Sequence, residues 1–361
     1  MAAFEHVDRL MNNALAQGVF PGAVVLAAGQ GRIVYHQAYG LADVFSRRAI
    51  AMNTFFDLAS LTKPLATVMA VINLVHHGQM TLDEPAERHI EALSGTDKAR
   101  ITVRELLEHR SGLPAWRPYF ETLRKIDPPM RQDALRRMLA LEALESEPGV
   151  SSCYSDLGFM LLQWIVESVA NRSLDRYVVE EVYDPLGISS LFFPAGSSGR
   201  EKKEYAATEL CPWRNRLLVG EVHDDNAWIT GGCAGHAGLF GTARGVYDLL
   251  QGLLAADRGD VRHPLWDREL IQHFFTPQAG RAWALGFDTP SPEGSSSGSY
   301  FSANSVGHLG FTGTSFWMDR DRSVIIILLT NRVHPSRQNQ SIRSFRPVFH
   351  DAVMAGLRDP C

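Results

Sequence analysis

Lysine is scarce in this chain of 361 residues. Only Lys63, Lys98, Lys125, Lys202 and Lys203 stand beside thirty arginines. Arginine stays protonated at physiological pH, so a reaction that needs a titratable amine has few places to find one. Cysteine is rare too. Cys153, Cys211, Cys233 and Cys361 form no C-x-x-C pair, which argues against a disulfide-stapled scaffold and leaves reduced thiols as the expectation. Long apolar runs are missing. The longest, residues 324–329, falls far short of the ~20 residues of a membrane span. Residues 1–20 carry charges where a signal peptide would be apolar. The expectation is a cytoplasmic protein with no membrane span. Basic and acidic residues number 35 and 40, a net charge of −5, so no basic field points to nucleic acid. What is present is the balance of a globular chain, 45% hydrophobic and 21% charged, long enough for about two domains.

Periodicity organises the chain. Residues 4–17 read as an amphipathic helix, with Phe4, Val7, Leu10, Met11 and Leu15 on one stripe. Residues 22–28 and 32–37, separated by a Gly-Gln-Gly turn, read as paired strands. From about 61 to 190 the pattern is helical. One stripe runs from Leu61 to Val75, and further stretches cover 103–108, 131–145 and 157–170, with Pro- and Gly-rich breaks between them. Strands return at 313–319 and 323–330. The continuous β-branched run 324–329 predicts a central strand covered on both faces. A helix over 345–357 closes the chain. The Gly- and Ser-rich stretch 289–304 reads as a mobile loop.

Ser60-Leu61-Thr62-Lys63 is an S-x-x-K at the start of a long apolar stripe. One helical turn puts both side chains on one face, and a helix start offers free N–H groups to a developing negative charge. Taken alone, the signal is weak, and a serine cap with a surface lysine is the preferred explanation. Two further motifs change the balance: Tyr154-Ser155-Asp156 opens the 157–170 stretch, and His308-Leu309-Gly310 precedes the late strands. A rival G-x-S-x-G at 294–298 lacks the strand before it and the helix after it that a nucleophile elbow needs. Cys233-x-x-His236 and His223-Asp224 each look like half a metal site with no visible second half, so no metal is expected.

The three motifs, in this order and at these spacings, resemble the serine β-lactamase and penicillin-binding-protein superfamily, most of all its class C branch. Residues 78–85, 106–114, 154–159 and 238–243 are similar to further landmarks of that family. Residues 220–227 resemble a V-H-D-x-N-A segment of a cytoplasmic branch that cleaves the amide between N-acetylmuramic acid and L-alanine.

The resemblance implies an α+β fold of the β-lactamase/transpeptidase type, an antiparallel sheet flanked by helices with an inserted all-helical domain. The expected division is 1–57 with 231–361 for the sheet domain and 58–230 for the insert. It also implies a cofactor-free serine hydrolase acting on a small-molecule or short-peptide substrate; no oligomeric state is implied. Ser60 would attack, Lys63 and Tyr154 would exchange its proton, and the backbone N–H groups of Ser60 and Phe311 would form the oxyanion hole. Gly310 belongs to the third motif. His236 either lines the pocket or satisfies a buried loop.

Two departures stand out. Asp156 replaces the family's usual Asn and only accepts hydrogen bonds when ionised, so it is expected to hold Lys63 protonated and shift the base role towards Tyr154. His308 replaces a frequent lysine and is expected to be only partly charged near neutrality, which weakens the case for a penicillin-type carboxylate. An amide of the cell-wall or D-amino-acid peptide type is the favoured substrate. A carboxylester, a weak β-lactamase activity and a non-catalytic penicillin-recognising binder are the alternatives.

Overall fold

The computed structural model describes residues 4–194, 200–260, 265–278 and 281–358. Along the chain come helix α1 (Glu5–Ala16), strands β1 (Gly22–Gly29), β2 (Arg32–Asp43), β3 (Arg48–Ala49) and β4 (Phe56–Asp57), then helices α2 (Val68–His76), α3 (Val103–Leu107), α4 (Tyr119–Leu123), α5 (Arg131–Leu141), α6 (Asp156–Ala170) and α7 (Leu174–Val178). Short strands β5 (Leu191–Phe192), β6 (Ala207–Cys211) and β7 (Arg216–Val219), helix α8 (Asp225–Ile229) and strand β8 (Phe240–Gly241) follow. The chain ends with α9 (Ala243–Arg258), α10 (Arg268–Phe275), β9 (Val306–Leu309), β10 (Ser315–Asp319), β11 (Val324–Thr330) and α11 (Ile342–Arg358).

The main sheet has six strands in the order β3-β2-β1-β11-β10-β9, and its pairs are antiparallel. Early and late strands therefore share one sheet: Val25 of β1 stands opposite Leu328 of β11. Alternation sorts the side chains onto two faces. Val24, Leu26, Ile325 and Ile327 join the larger core, with α9 and the helices between residues 61 and 183. Ala23, Val25, Ile326 and Leu328 join a second core with Val7 and Met11 of α1 and Phe349 and Val353 of α11. This double cover is why 324–329 reads as unbroken apolar sequence, and every residue of β11 is buried.

The expected helices are found with ends shifted by a few residues; 131–145, for instance, stops at Leu141. Within 58–230 the helices are joined by β5 and by the β6–β7 hairpin. Strands of two to five residues are too short to show an alternating pattern. The largest local difference is at residues 61–67. A single 3-10 turn, Ala59–Leu61, leads into a widened turn, Lys63–Thr67, before regular α2 begins at Val68. Pro64, which lacks an N–H, sits inside that turn.

The 289–304 stretch is a correction. Its low-complexity composition predicts mobility, but it is pinned to the sheet and to α11. Ser302 N donates to Asp319 Oδ2 at 2.9 Å, and Ser299 N and Tyr300 N donate to Asp351 Oδ1. His350 Nδ1 donates to Ser296 O at 2.7 Å. Phe301 packs into the second core. Cys153, Cys211 and Cys233 are free thiols; Cys361 lies outside the described residues.

His350 is fully buried. Burial, opposed by its bond to Ser296 and assisted by the Arg346 charge, pushes its pKa down to about 3. The unfolded value is about 6.5, so its contribution to stability is present above pH 6.5 and is lost as pH falls towards 3. His350→Gln keeps a donor for Ser296 without a titrating ring. We expect the fall in Tm between pH 7 and pH 4 to be smaller in this variant than in the parent protein. An unchanged pH slope in thermal melts would show that His350 is not part of the acid response.

Candidate active site

Ser60 is presented by a turn that begins in the small sheet β4-β8-β5. Ala59 takes φ +49°, a left-handed conformation that β-carbon sterics disfavour. Asp57 holds that turn in place. Its carboxylate accepts from Ala59 N at 2.8 Å and from His223 N at 2.7 Å. The turn is also tied to the third motif. Thr312 Oγ1 donates to Asp57 O at 2.7 Å, and Thr314 Oγ1 donates to Leu58 O at 3.0 Å. Gly310 explains the glycine of H-x-G. A β-carbon there would lie 2.0 Å from Thr314 Oγ1 and 2.7 Å from Leu58 O, so only glycine lets β9 approach the Ser60 turn this closely.

Lys63 is fully buried. Its ammonium donates to Ser60 Oγ at 3.2 Å, to Asp156 Oδ1 at 2.7 Å and to His236 O at 3.2 Å, and it lies 4.8 Å from the Tyr154 ring centre. Asp156 is the first residue of α6. Ser155 caps that helix by accepting from Gly158 N at 3.1 Å. Burial pushes the Lys63 pKa down, but the Asp156 carboxylate and Tyr154 outweigh it, so Lys63 stays above the ordinary lysine value. Burial raises the Tyr154 phenol, while the Lys63 charge and the Ser60 hydroxyl act in the opposite sense; the balance is still upward. The site therefore rests with a protonated amine and a neutral phenol. Such an arrangement can deprotonate a serine only through the phenolate form of Tyr154, reached when the phenol loses its own proton to solvent and stabilised by the Lys63 cation.

His308 departs from expectation. It is buried, and burial together with the Lys63 charge pushes its pKa down to about 3. It is a neutral imidazole at pH 7, not a partly charged one. Its Nδ1 bonds Leu309 O at 2.9 Å, so that nitrogen carries the proton and Nε2 is an acceptor with no partner among the described residues.

His236 also resolves. Its carbonyl accepts from Lys63 and its Nε2 bonds Asp224 Oδ1 at 3.0 Å, which makes it a buried support for the Lys63 site. Burial would raise the Asp224 carboxyl, but His236 and the Ala227 amide hold it below the usual range. His223 bonds Glu209 at 3.2 Å, and Asp224 caps α8. Among the described residues Asp156, Asp224 and His236 bring ligand-type atoms within 4.8 Å of one another. The Lys63 ammonium already supplies positive charge to that group, so the donor set suits a lysine.

Ser60, Tyr154 and Phe311 line two cavities. The first, of about 490 Å³, also includes Trp283, Asp288, His308, Gly310 and the arginines 332, 343 and 346. The second, of about 390 Å³, includes Trp116, Asp156, Asp224 and Arg337. Phe311 is half exposed, with its ring under Arg332 and against His223.

Three residues here were not singled out from sequence. His109, buried at φ +54°, accepts from Ser155 N at 3.1 Å and packs its ring 4.5 Å from that of Tyr154. Trp283 packs against both of those rings, edge-on to His109 and tilted to Tyr154. Asp288 faces the first cavity. His109 stood within the landmark 106–114; Trp283 and Asp288 belong to no motif that sequence reading could use.

A serine, a buried lysine and a tyrosine gathered beneath an H-x-G strand define a serine hydrolase of the penicillin-recognising type. The comparisons agree, and the chain belongs to the Beta-lactamase family, whose sequence model matches residues 7–346. The N-acetylmuramyl-L-alanine amidase of Bacillus subtilis (strain 168) is 34% identical, over 91% of this chain and 80% of that one. A protein of Escherichia coli (strain K12) with a provisional D-alanyl-D-alanine carboxypeptidase name is 32% identical, over 91% of this chain and 82% of its own. The fold is shared with EstCE1, a hydrolase with promiscuous acyltransferase activity, at a TM-score of 0.73 and 22% identity over 96% of this chain and 98% of that one.

Gly310→Ala tests the close approach. The variant should keep a native far-UV circular dichroism spectrum and lose 100-fold or more in acylation rate by a reactive ester, because a misplacement of about 1 Å near the chemistry has effects of that order. Acylation at the parent rate would contradict the role given to this glycine.

Proposed function

We propose that the chain cleaves an amide through an acyl-enzyme on Ser60. The observation that carries this reading is the Ser60–Lys63–Asp156 chain, with Nζ 3.2 Å from the serine and 2.7 Å from the carboxylate, at the meeting point of two cavities. The Tyr154 phenol first gives its proton to solvent, and Lys63, kept cationic by Asp156, stabilises the resulting phenolate. Ser60 Oγ then attacks the carbonyl carbon as its proton passes to that phenolate. The backbone N–H groups of Ser60 and Phe311 face the oxyanion. Collapse of the tetrahedral intermediate breaks the C–N bond, and Tyr154 returns the proton to the leaving amine. Water then enters by the same route in reverse and frees the acid.

The substrate we favour is a cell-wall fragment whose acyl group passes to Ser60 while an amino acid or short peptide leaves as the free amine. Three observations support it. One relative at 34% identity is named an amidase of that kind. Arg343, exposed at the first cavity, suits a carboxylate at the end of a peptide. The neutral His308 removes the cation that a β-lactam carboxylate would meet at that position. This reading includes a cytoplasmic location; no described helix is long and apolar enough to cross a membrane. It also includes the division of the chain into 1–57 with 231–361 and an insert, 58–230.

Turnover of a small panel tests the reaction: N-acetylmuramyl-L-alanine, a D-Ala-D-Ala peptide, p-nitrophenyl butyrate and nitrocefin. The muramyl amide should be the best substrate by kcat/KM. Activity confined to the ester would overturn the cell-wall reading.

A second test concerns Asp156. Asp156→Asn removes the charge that raises Lys63, so Lys63 should lose its proton at lower pH. Because a protonated Lys63 is required, the basic limb of the kcat/KM profile should move to lower pH. A basic limb that stays in place, or moves up, would remove Asp156 from that role. Tyr154→Phe should abolish acylation; an intact rate would return the base role to Lys63.

A further inference from the structure

We propose that Asp288 and His308 form an acceptor pair that reads a hydrogen-bond donor, an amide N–H, on the amino-acid half of the substrate. The proposal rests on the amide reading above and names how that substrate is told from others.

Both residues line the same cavity as Ser60 and Tyr154. His308 is fixed as an acceptor: Nδ1 spends its proton on Leu309 O, and buried Nε2 has no partner among the described residues. An unpaired buried acceptor costs free energy until a ligand supplies the donor. Asp288 is held in place by its backbone, which exchanges two hydrogen bonds with Gly307 at 2.8 and 2.9 Å, next to His308 on β9. Among the described residues its carboxyl has help from the Thr289 amide and from no side chain, and burial raises its pKa to about 7. A donor brought by a ligand would favour the ionised form and tighten that bond. Trp283 lies beside the pair, its ring 5.9 Å from that of His308.

The cationic side of the cavity is differently occupied. Arg332 donates to the carbonyls of Phe311, Arg337 and Asn339. Arg346 donates to those of Gly310 and Thr314. These two guanidiniums are committed to the backbone, and Arg343 remains exposed at the cavity. A bare cation is disfavoured by three arginines. A ligand offering only acceptors to His308 would place lone pair against lone pair. An N-acyl amino acid, with an N–H for the acceptor pair and a carboxylate for Arg343, satisfies both ends.

The test is direct binding to the full chain by isothermal titration calorimetry, which needs no turnover. N-acetyl-L-alanine carries the donor; N-acetyl-N-methyl-L-alanine lacks it. The parent protein should bind the first about tenfold more tightly or better, the usual order for a hydrogen bond to a charged group. Asp288→Leu should bring the two within about threefold, and Asp288→Asn, which keeps an acceptor oxygen, should retain most of the preference. Circular dichroism would establish that both variants fold. No preference in the parent protein, a preference that survives in Asp288→Leu, or no measurable heat from either compound at millimolar concentration would each overturn the proposal. Failure of amide hydrolysis with the binding preference intact would strike the proposed reaction and leave this pair standing.

Discussion

The ion pair between Lys63 and Asp156 is the interaction on which the rest of the site depends. Lys63 is wholly buried and the Asp156 side chain is 18% exposed. A lone ammonium in such a place would lose its proton, since burying an unpaired charge is far costlier than neutralising it. The carboxylate 2.7 Å away reverses that outcome. Removing one member of a buried pair typically costs about 3–5 kcal/mol, because the other is left uncompensated. The pair thus positions the amine under Ser60 and fixes its charge. Tyr154, His109 and His308 all take their protonation states in the field of that cation.

Geometry is enforced by ties between segments distant in sequence. The Ser60 turn is strained at Ala59 and would relax if left alone. Asp57 fastens it to residue 223, and Thr312 and Thr314 fasten it to the β9–β10 connection. Arg346 of α11 then holds the same connection from the other side through Gly310 O and Thr314 O. The first and third motifs therefore move together, although about 250 residues separate them. The second motif joins through the lysine. This construction keeps a 3.2 Å serine–lysine contact in a protein whose main sheet is itself closed by strands from opposite parts of the chain.

Much of this was legible in the sequence. Local spacing reveals Ser60 and Lys63, because one turn of helix carries its own geometry; the scarcity of lysine makes position 63 conspicuous. The central strand could be read from 324–329, since cover on both faces leaves an unbroken apolar run. Tyr154, Asp156, His308 and Gly310 became readable only through resemblance to a family, and the structure brings them to the same place. What stayed hidden depends on tertiary surroundings. The charge of His308 follows from burial and from Lys63, neither of which a sequence displays. Asp288 is an unremarkable acid until the fold sets it in the wall of a cavity. The 289–304 loop has the composition of a linker, yet Asp319, Asp351 and His350 hold it from elements that composition cannot relate to it.

The central claim is covalent: the acyl half of an amide passes to Ser60. Acid-quenching the protein during turnover of N-acetylmuramyl-L-alanine and analysing its peptides by mass spectrometry tests this directly. The account predicts a muramyl-lactoyl ester on the peptide containing Ser60, present in Tyr154-intact protein and missing in Ser60→Ala. Turnover without any adduct on that peptide, or an adduct elsewhere with undiminished activity in Ser60→Ala, would contradict it.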